Sequence, residues 1–287
     1  MEITRLYVLA NARLERALRT VAVLKAWCQI HDIEAVSLEE ASAPFAENAL
    51  VVALGGDGTV LRAAAIVADH GVPILGANLG SLGFLTQTGA TTLTQSLEAV
   101  VRGEFDIEER MRAAYAYRAR RGSALNDIVI SGRGGGRFCE LDLEASEGVV
   151  ASLPGDGLIV STATGSTAYS LSTGGPIIVP PAACLLASPL APHKLGLRPV
   201  VFPPEERLRV VAHTPASLFV DGDLVAEIER GEDVMIERAE QPTRLVRLRG
   251  AATFFEVLQE KLNWGDDRRR TEPAAAPHDD DPKPDKE

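Results

Sequence analysis

The sequence predicts an α/β protein in two parts, a Rossmann-like, doubly wound N-terminal domain followed by a mostly β, sandwich-like C-terminal domain. Two textures predict it. Apolar runs alternate with stretches of helical period over residues 1–104, whereas residues 105–250 break into short alternating runs punctuated by Gly and Pro. A third observation orients the first part. Gly55-Gly56-Asp57-Gly58-Thr59 lies between the apolar run 50–54 and a helix-like stretch, which puts it at the carboxyl end of a strand, where open α/β sheets bind ligands.

Residues 3–9 form the first expected strand. Residues 13–29 follow as an amphipathic helix, with Leu14, Ala17, Leu18, Val21, Leu24 and Ala26 at helical spacing. The run 50–54 has no polar residue, as a strand buried on both faces would not. Helical periodicity then covers 59–70 and stops at Gly71, and residues 72–77 begin another strand through Pro73. The loop after it, residues 78–84, would face the same crevice as the Gly55 loop. In the second part, residues 113–119, 125–130, 140–143 and 208–212 read as strands, and 244–248 as the last of them. Residues 251–264 contain a helix at 253–262 whose Phe254, Val257, Leu258 and Leu262 share one face, expected to pack back on the body. Residues 265–287, with Asp279-Asp280-Asp281, hold too little apolar surface to offset their ordering entropy and read as a disordered acidic tail.

Composition narrows the function. A chain of 287 residues, 46% hydrophobic and 24% charged, buries an ordinary core. No apolar run approaches the roughly 20 residues that span a bilayer, and no basic-then-apolar leader opens the chain, so a cytoplasmic protein with no membrane partner is expected. A net charge of -11 argues against nonspecific binding to nucleic acid. Cys28, Cys139 and Cys184 are scattered and odd in number, which fits neither a disulfide framework nor a zinc site.

The motif carries chemistry. Its glycines let the backbone turn and approach a polyanion, and the helix that follows adds its positive end. Asp57 repels phosphates unless it holds a metal or takes a proton from an attacking hydroxyl, so the five residues suggest phosphoryl transfer. A plain strand-to-helix turn is the bland alternative. A second block, residues 155–176, is dense in hydroxyls and glycine. Residues 158–160 read as a buried strand leading into a loop that hydrogen-bonds a polar ligand such as a ribose.

Together these blocks resemble the NAD kinases, which phosphorylate the 2′-hydroxyl of the adenosine ribose of NAD to make NADP. The resemblance covers roughly residues 3–262: the motif at 55–59, the loop 78–85, Asn126-Asp127, the stretch 156–176, Pro192-His193, Arg198-Pro199 and Val220-Asp221-Gly222. Carried over by position, it implies that Asp57 accepts the hydroxyl proton and, with Gly58, lines the NAD site. It places donor phosphates along Gly55 and Gly56, with Arg62 and Arg137 as further phosphate candidates. It sets Phe84 near the adenine and gives Asn126, Asp127, Asp156, Thr167, Ala168, Tyr169, Ser170, Leu171, Ser172, Asp221 and Asp223 to the dinucleotide. It also implies Mg²⁺, ATP or polyphosphate as donor, and a homodimer or homotetramer.

The chain departs from the family pattern at several points. Asp127 stands where Glu is usual, Asp223 where bacterial members often have Gln, and Pro154 and Pro180 where polar residues occur. His193 reads as a core or hinge histidine. Three other functions share features with the sequence. Diacylglycerol and sphingosine kinases have the first motif, but residues 155–176 are too polar for acyl chains. A noncatalytic sensor would tolerate loss of Asp57, and a dinucleotide-dependent dehydrogenase would need a Gly-x-Gly-x-x-Gly turn after its first strand.

Overall fold

The computed structural model describes residues 3–134 and 137–264. The tail expected at 265–287, with its acidic run, lies outside the described residues. The first part contains β1 (Arg5–Ala10), α1 (Glu15–Ile30), β2 (Glu34–Ser37), β3 (Ala49–Gly55), α2 (Asp57–Ile66), β4 (Ile74–Asn78), β5 (Thr88–Gly89) and α3 (Leu93–Val101). There follow β6 (Phe105–Arg110), β7 (Ala113–Tyr117), β8 (Arg120–Ala124), β9 (Asp127–Gly132), β10 (Cys139–Ala145), β11 (Gly148–Gly155) and β12 (Gly157–Thr162). After a 3₁₀ turn (Thr164–Thr167) come α4 (Tyr169–Ser172), β13 (Leu185–Leu190), β14 (Val200–Phe202), β15 (Leu208–Ala212), β16 (Ala216–Val220), β17 (Asp223–Ile228), β18 (Asp233–Arg238) and β19 (Thr243–Leu248).

Among the described residues the strands form three sheets. The first runs β2-β1-β3-β4-β19-β6, with β5 added to β4. Its core strands are parallel, and β6 joins β19 antiparallel. Period-two alternation divides each central strand between two cores. Leu50, Val52 and Leu54 face Ala17 and Leu24 of α1 and Leu93 and Leu97 of α3, whereas Ala49, Val51 and Ala53 face Val60, Ala63 and Ala64 of α2. Helices therefore cover both faces, which is why 50–54 is apolar throughout.

The other two sheets are antiparallel and six-stranded, ordered β11-β10-β15-β18-β7-β8 and β14-β13-β12-β9-β16-β17. They pack face to face over a shared core that includes Leu141, Leu208 and Ile236 from one and Ile128, Ile130, Leu158 and Leu218 from the other. The sandwich-like second part is thus present, with two corrections: residues 105–110, expected within it, form β6 at the edge of the first sheet. Residues 244–248, expected as its last strand, form β19, which pairs with β4 and β6 in the first sheet. Leu245 and Val246 enter the two cores on opposite faces of that sheet, and no local pattern reveals a partner some 170 residues upstream.

Helix α2 begins at Asp57, two residues earlier than its periodicity suggests, and ends at Ile66. Gly56 is its N-cap residue, so three of the five motif residues, 57–59, are helical. By itself, α5 (Phe254–Leu262) starts with a capping box in which Thr253 and Glu256 exchange hydrogen bonds. No described helix is long and apolar enough to cross a membrane.

Arg112, between β6 and β7, is fully buried and joins the two parts. Its guanidinium donates to Ala68 O, just past α2, at 2.8 Å and to Ser123 of β8. Arg112→Met should lower stability by about 2 kcal/mol, the cost of leaving buried carbonyls unpaired, read as a lower urea midpoint with an unchanged slope.

Candidate active site

Residues 55–59 form the passage from β3 into α2. A Cβ at Gly55 would overlap the Thr59 hydroxyl, so the turn closes only on glycine there. Gly56 and Gly58 face open space and are exposed, which leaves that backbone accessible at the positive end of the helix. Asp57 is the first helical residue. Its Oδ2 accepts the Phe84 backbone N–H at 2.9 Å and its Oδ1 that of Leu85 at 3.0 Å, so the second expected loop does face the first. Arg62, one turn further along, is exposed and donates to Glu39 Oε1 at 2.7 Å.

One helical turn from Asp57, and on the same face of α2, Leu61 reaches a cavity of about 440 Å³. Its other lining residues include Asn126 just before β9, Asp127, Val129 and Ser131 along β9, Phe219, Asp221 and Gly222 from β16 and the turn after it, and Ala168 and Tyr169 at the start of α4. Alternation explains the set. Ile128 and Ile130 point into the sandwich core, so 127, 129 and 131 point outward, where Val129, Ile159, Leu190 and Phe219 form a small apolar floor. A second cavity of about 510 Å³ is lined by Asp156, Ser172, Thr173, Pro189, Leu190 and Pro192, among others, and Tyr169 borders both. Tyr169 is 49% exposed.

Most hydroxyls of the 162–170 stretch turn inward and build the wall. Thr162 Oγ1 donates to Leu125 O at 2.6 Å, and Ser166 Oγ donates to Ala163 O at 2.7 Å and accepts from Ile178 N–H at 2.9 Å. Ser170 is buried against the Ser188 hydroxyl at 2.8 Å, and Thr167 Oγ1 donates to Thr164 O at 3.3 Å. Arg110, buried on β6, donates from Nη1 to Thr164 Oγ1 at 3.1 Å while its Nε pairs with Glu108. A Cβ at Gly165 would overlap Asn126 O, so the turn lies directly on the strand that presents Asn126.

The expected residues therefore sort into three groups. Asn126, Asp127, Ala168, Tyr169 and Asp221 share the first cavity, and Asp156 and Ser172 join Tyr169 at the second. Asp57, Gly58 and Phe84 lie at the head of α2 with Gly55 and Gly56. Thr167, Ser170, Leu171, Asp223, Arg62 and Arg137 line neither cavity; Asp223 is exposed on β17, and Arg137 is exposed where its backbone bridges Gly132. Leu61, Val129, Ser131 and Phe219 were not foreseen, and Gly222 was foreseen only as part of the 220–222 block. Counting by twos from Asp127 and by four from Asp57 would have found the first three.

Two carboxylates meet in the first cavity, Asp127 buried and Asp221 half-buried. Asp221 Oδ2 accepts the Leu125 N–H at 2.8 Å, and Oδ1 accepts those of Asn126 at 2.8 Å and Asp127 at 3.2 Å. Desolvation raises the Asp221 carboxyl above its ordinary range, and these bonds, which favour the charged form, offset part of that rise. Asp127, 6% exposed, has no such set, and burial followed by repulsion from Asp221 pushes its carboxyl up to about 7.

Family models agree with this architecture. Residues 16–105 match the ATP-NAD kinase N-terminal domain and residues 125–248 the ATP-NAD kinase C-terminal domain. The NAD kinase of Moorella thermoacetica is 42% identical over 233 residues, which cover 79% of this chain and 75% of that one. That of Heliobacterium modesticaldum is 42% identical over 225 residues, 75% and 79% of the two chains. Among solved structures, a yeast NADH kinase complexed with NADH aligns with a TM-score of 0.80 at 22% identity, covering 95% of this chain and 91% of its own. An Archaeoglobus fulgidus NAD kinase in complex with ATP aligns at 0.73 and 24% identity, covering 90% and 96%. These two likenesses are likenesses of fold.

The carboxyl of Asp127 makes stability depend on pH. Its pKa rises on folding from an ordinary value near 4, so the folded state holds a proton through the interval and stability falls as pH rises from about 4 through 7. Across that window the parent should lose on the order of 2–4 kcal/mol more than Asp127→Asn, which removes the titration. Thermal melts of both proteins from pH 4.5 to 8 check this, and parallel curves would contradict it.

Proposed function

The chain belongs to the NAD kinase family, and we infer from that membership and from the site that it transfers the terminal phosphoryl group of ATP to the 2′-hydroxyl of the adenosine ribose of NAD, forming NADP. The observation that carries the residue assignment is the shared face of α2, which sets the Asp57 carboxylate one turn from Leu61 at the rim of the first cavity. The adenosine half of NAD enters that cavity over Val129 and Phe219, within reach of the Asn126 amide. Because Tyr169 borders both cavities, one dinucleotide can run past it and place its nicotinamide half beside Asp156 and Ser172.

The chemistry follows from these positions. As the 2′-oxygen forms its bond to the γ-phosphorus, its proton passes to Asp57 and the bond to the β-phosphate oxygen breaks, releasing ADP. Proton transfer of this kind contributes roughly 10²- to 10⁴-fold. Alignment of two polyanions contributes more. The open backbone at Gly56 and Gly58 and the head of α2 supply fixed dipoles for the donor phosphates. Mg²⁺ arrives on the triphosphate as part of the substrate; among the described residues no three His, Cys, Asp or Glu side chains gather into a metal cage. With both cavities open along the third sheet, a homodimer or homotetramer in which a neighbour closes the nicotinamide side is the proposed assembly, and the cytoplasm the proposed compartment.

Purified protein with Mg²⁺, ATP and NAD should produce NADP, and diacylglycerol in place of NAD should not be phosphorylated; the reverse would identify a lipid kinase. Asp57→Asn should lower kcat by about 10²- to 10⁴-fold while NAD affinity, read by titration, stays within a few fold. Parental turnover in that variant would remove Asp57 from the base role.

A further inference from the structure

Both oxygens of the Asp57 carboxylate are held by backbone N–H groups from a single turn, and the residues that hold that turn carry no charge. Gly83 is buried and lies outside the left-handed region, so alanine would fit its backbone. Yet a Cβ there would overlap Asp57 Oδ1 and lie 2.6 Å from Cγ. Glycine at 83 is demanded by the carboxylate, not by the turn. The Gly83 N–H donates at 2.9 Å to Thr86 Oγ1, and Thr86 is 1% exposed. On the other side the turn rests on β4. A Cβ at Gly76 would come 2.7 Å from Leu85 O and 3.1 Å from Thr86 Cα, and Gln87 N–H donates to Gly76 O at 2.8 Å.

We propose that residues 83–86 are a backbone clamp that orients the Asp57 carboxylate for proton transfer, with Gly83 as the gap it fits into and Thr86 as the positioning residue that locks the turn. The proposal rests on Asp57 being the base. An aspartate has two side-chain torsions, and two N–H bonds to different oxygens fix both, leaving one lone pair on each oxygen for the substrate. Thr86 closes the turn that aims those bonds. Gly83 and Thr86 line neither of the two cavities described above, so loosening the clamp acts on the chemical step and not on NAD binding.

Thr86→Val removes the acceptor at nearly constant volume, and Thr86→Ser keeps it. The expected result is a fall in kcat of about 10- to 100-fold in the valine variant, the scale of a misplaced catalytic group, with KM for NAD nearly unchanged and most of kcat retained in the serine variant. Asp57→Asn is assayed beside them. If it turns over like the parent, the base reading fails; if it is inactive while Thr86→Val keeps parental kcat, the clamp fails and the base reading stands. Equal losses in the valine and serine variants also overturn the clamp. Should Thr86→Val not fold, a thermal double-mutant cycle decides. Gly83→Ala should lower Tm by several degrees in the parent and little in an Asp57→Ala background, where the overlapping atoms are gone. An equal loss in both backgrounds overturns the proposal.

Discussion

The first cavity takes its shape from one carboxylate whose hydrogen bonds run to the backbone. Asp221 sits in a left-handed turn between β16 and β17 and accepts three consecutive backbone N–H groups, those of residues 125, 126 and 127. That cluster sets where β9 begins. It points Asp127, Val129 and Ser131 outward and presses Asn126 O against the glycine at 165. Thr162 secures the same start from the other side, its Oγ1 donating to Leu125 O and its N–H to Asn126 O.

The same economy recurs on both sides of the site. At the head of α2, backbone N–H groups hold Asp57 from across the crevice. In the 162–170 wall, hydroxyls hold carbonyls and one another, and Arg110 ties Thr164 to the first sheet. Polar groups are thus used mainly to place other polar groups, as a buried network must be if each donor is to find an acceptor. The surface left in the first cavity is a short apolar floor with a few polar groups at its rim, a composition typical of ligand pockets.

Much of the fold was legible. The first strand, α1, β3, β4 and α5 follow from apolar runs and helical spacing, because each is a local pattern with one burial geometry. The β-rich texture after residue 105 also held. What escaped were β19's place in the first sheet, the short elements β2 and β5, whose sequences carry no strong period, and α3, although its buried Leu93, Leu97 and Val100 stand at helical spacing. Within the site, the motif at 55–59 announced Asp57. The hydroxyl-rich stretch announced a wall but not which hydroxyls face outward: Ser170 and Ser172 look alike in sequence, yet one is buried on Ser188 and the other borders a cavity.

The sequence alone determined the residue types that phosphoryl transfer to an alcohol requires, a carboxylate among glycines and a polar strip to present the sugar, because motif spacing and composition are local properties of the chain. Only the tertiary structure decided which groups meet: that Asp57 is gripped by the turn at 83–86, that Asp221 builds the cavity around Asp127, and that Leu61, Val129 and Phe219 share its lining. Those contacts join residues from 26 to more than 150 positions apart along the chain, and long-range pairing is set by packing of whole sheets, which no short window of sequence encodes.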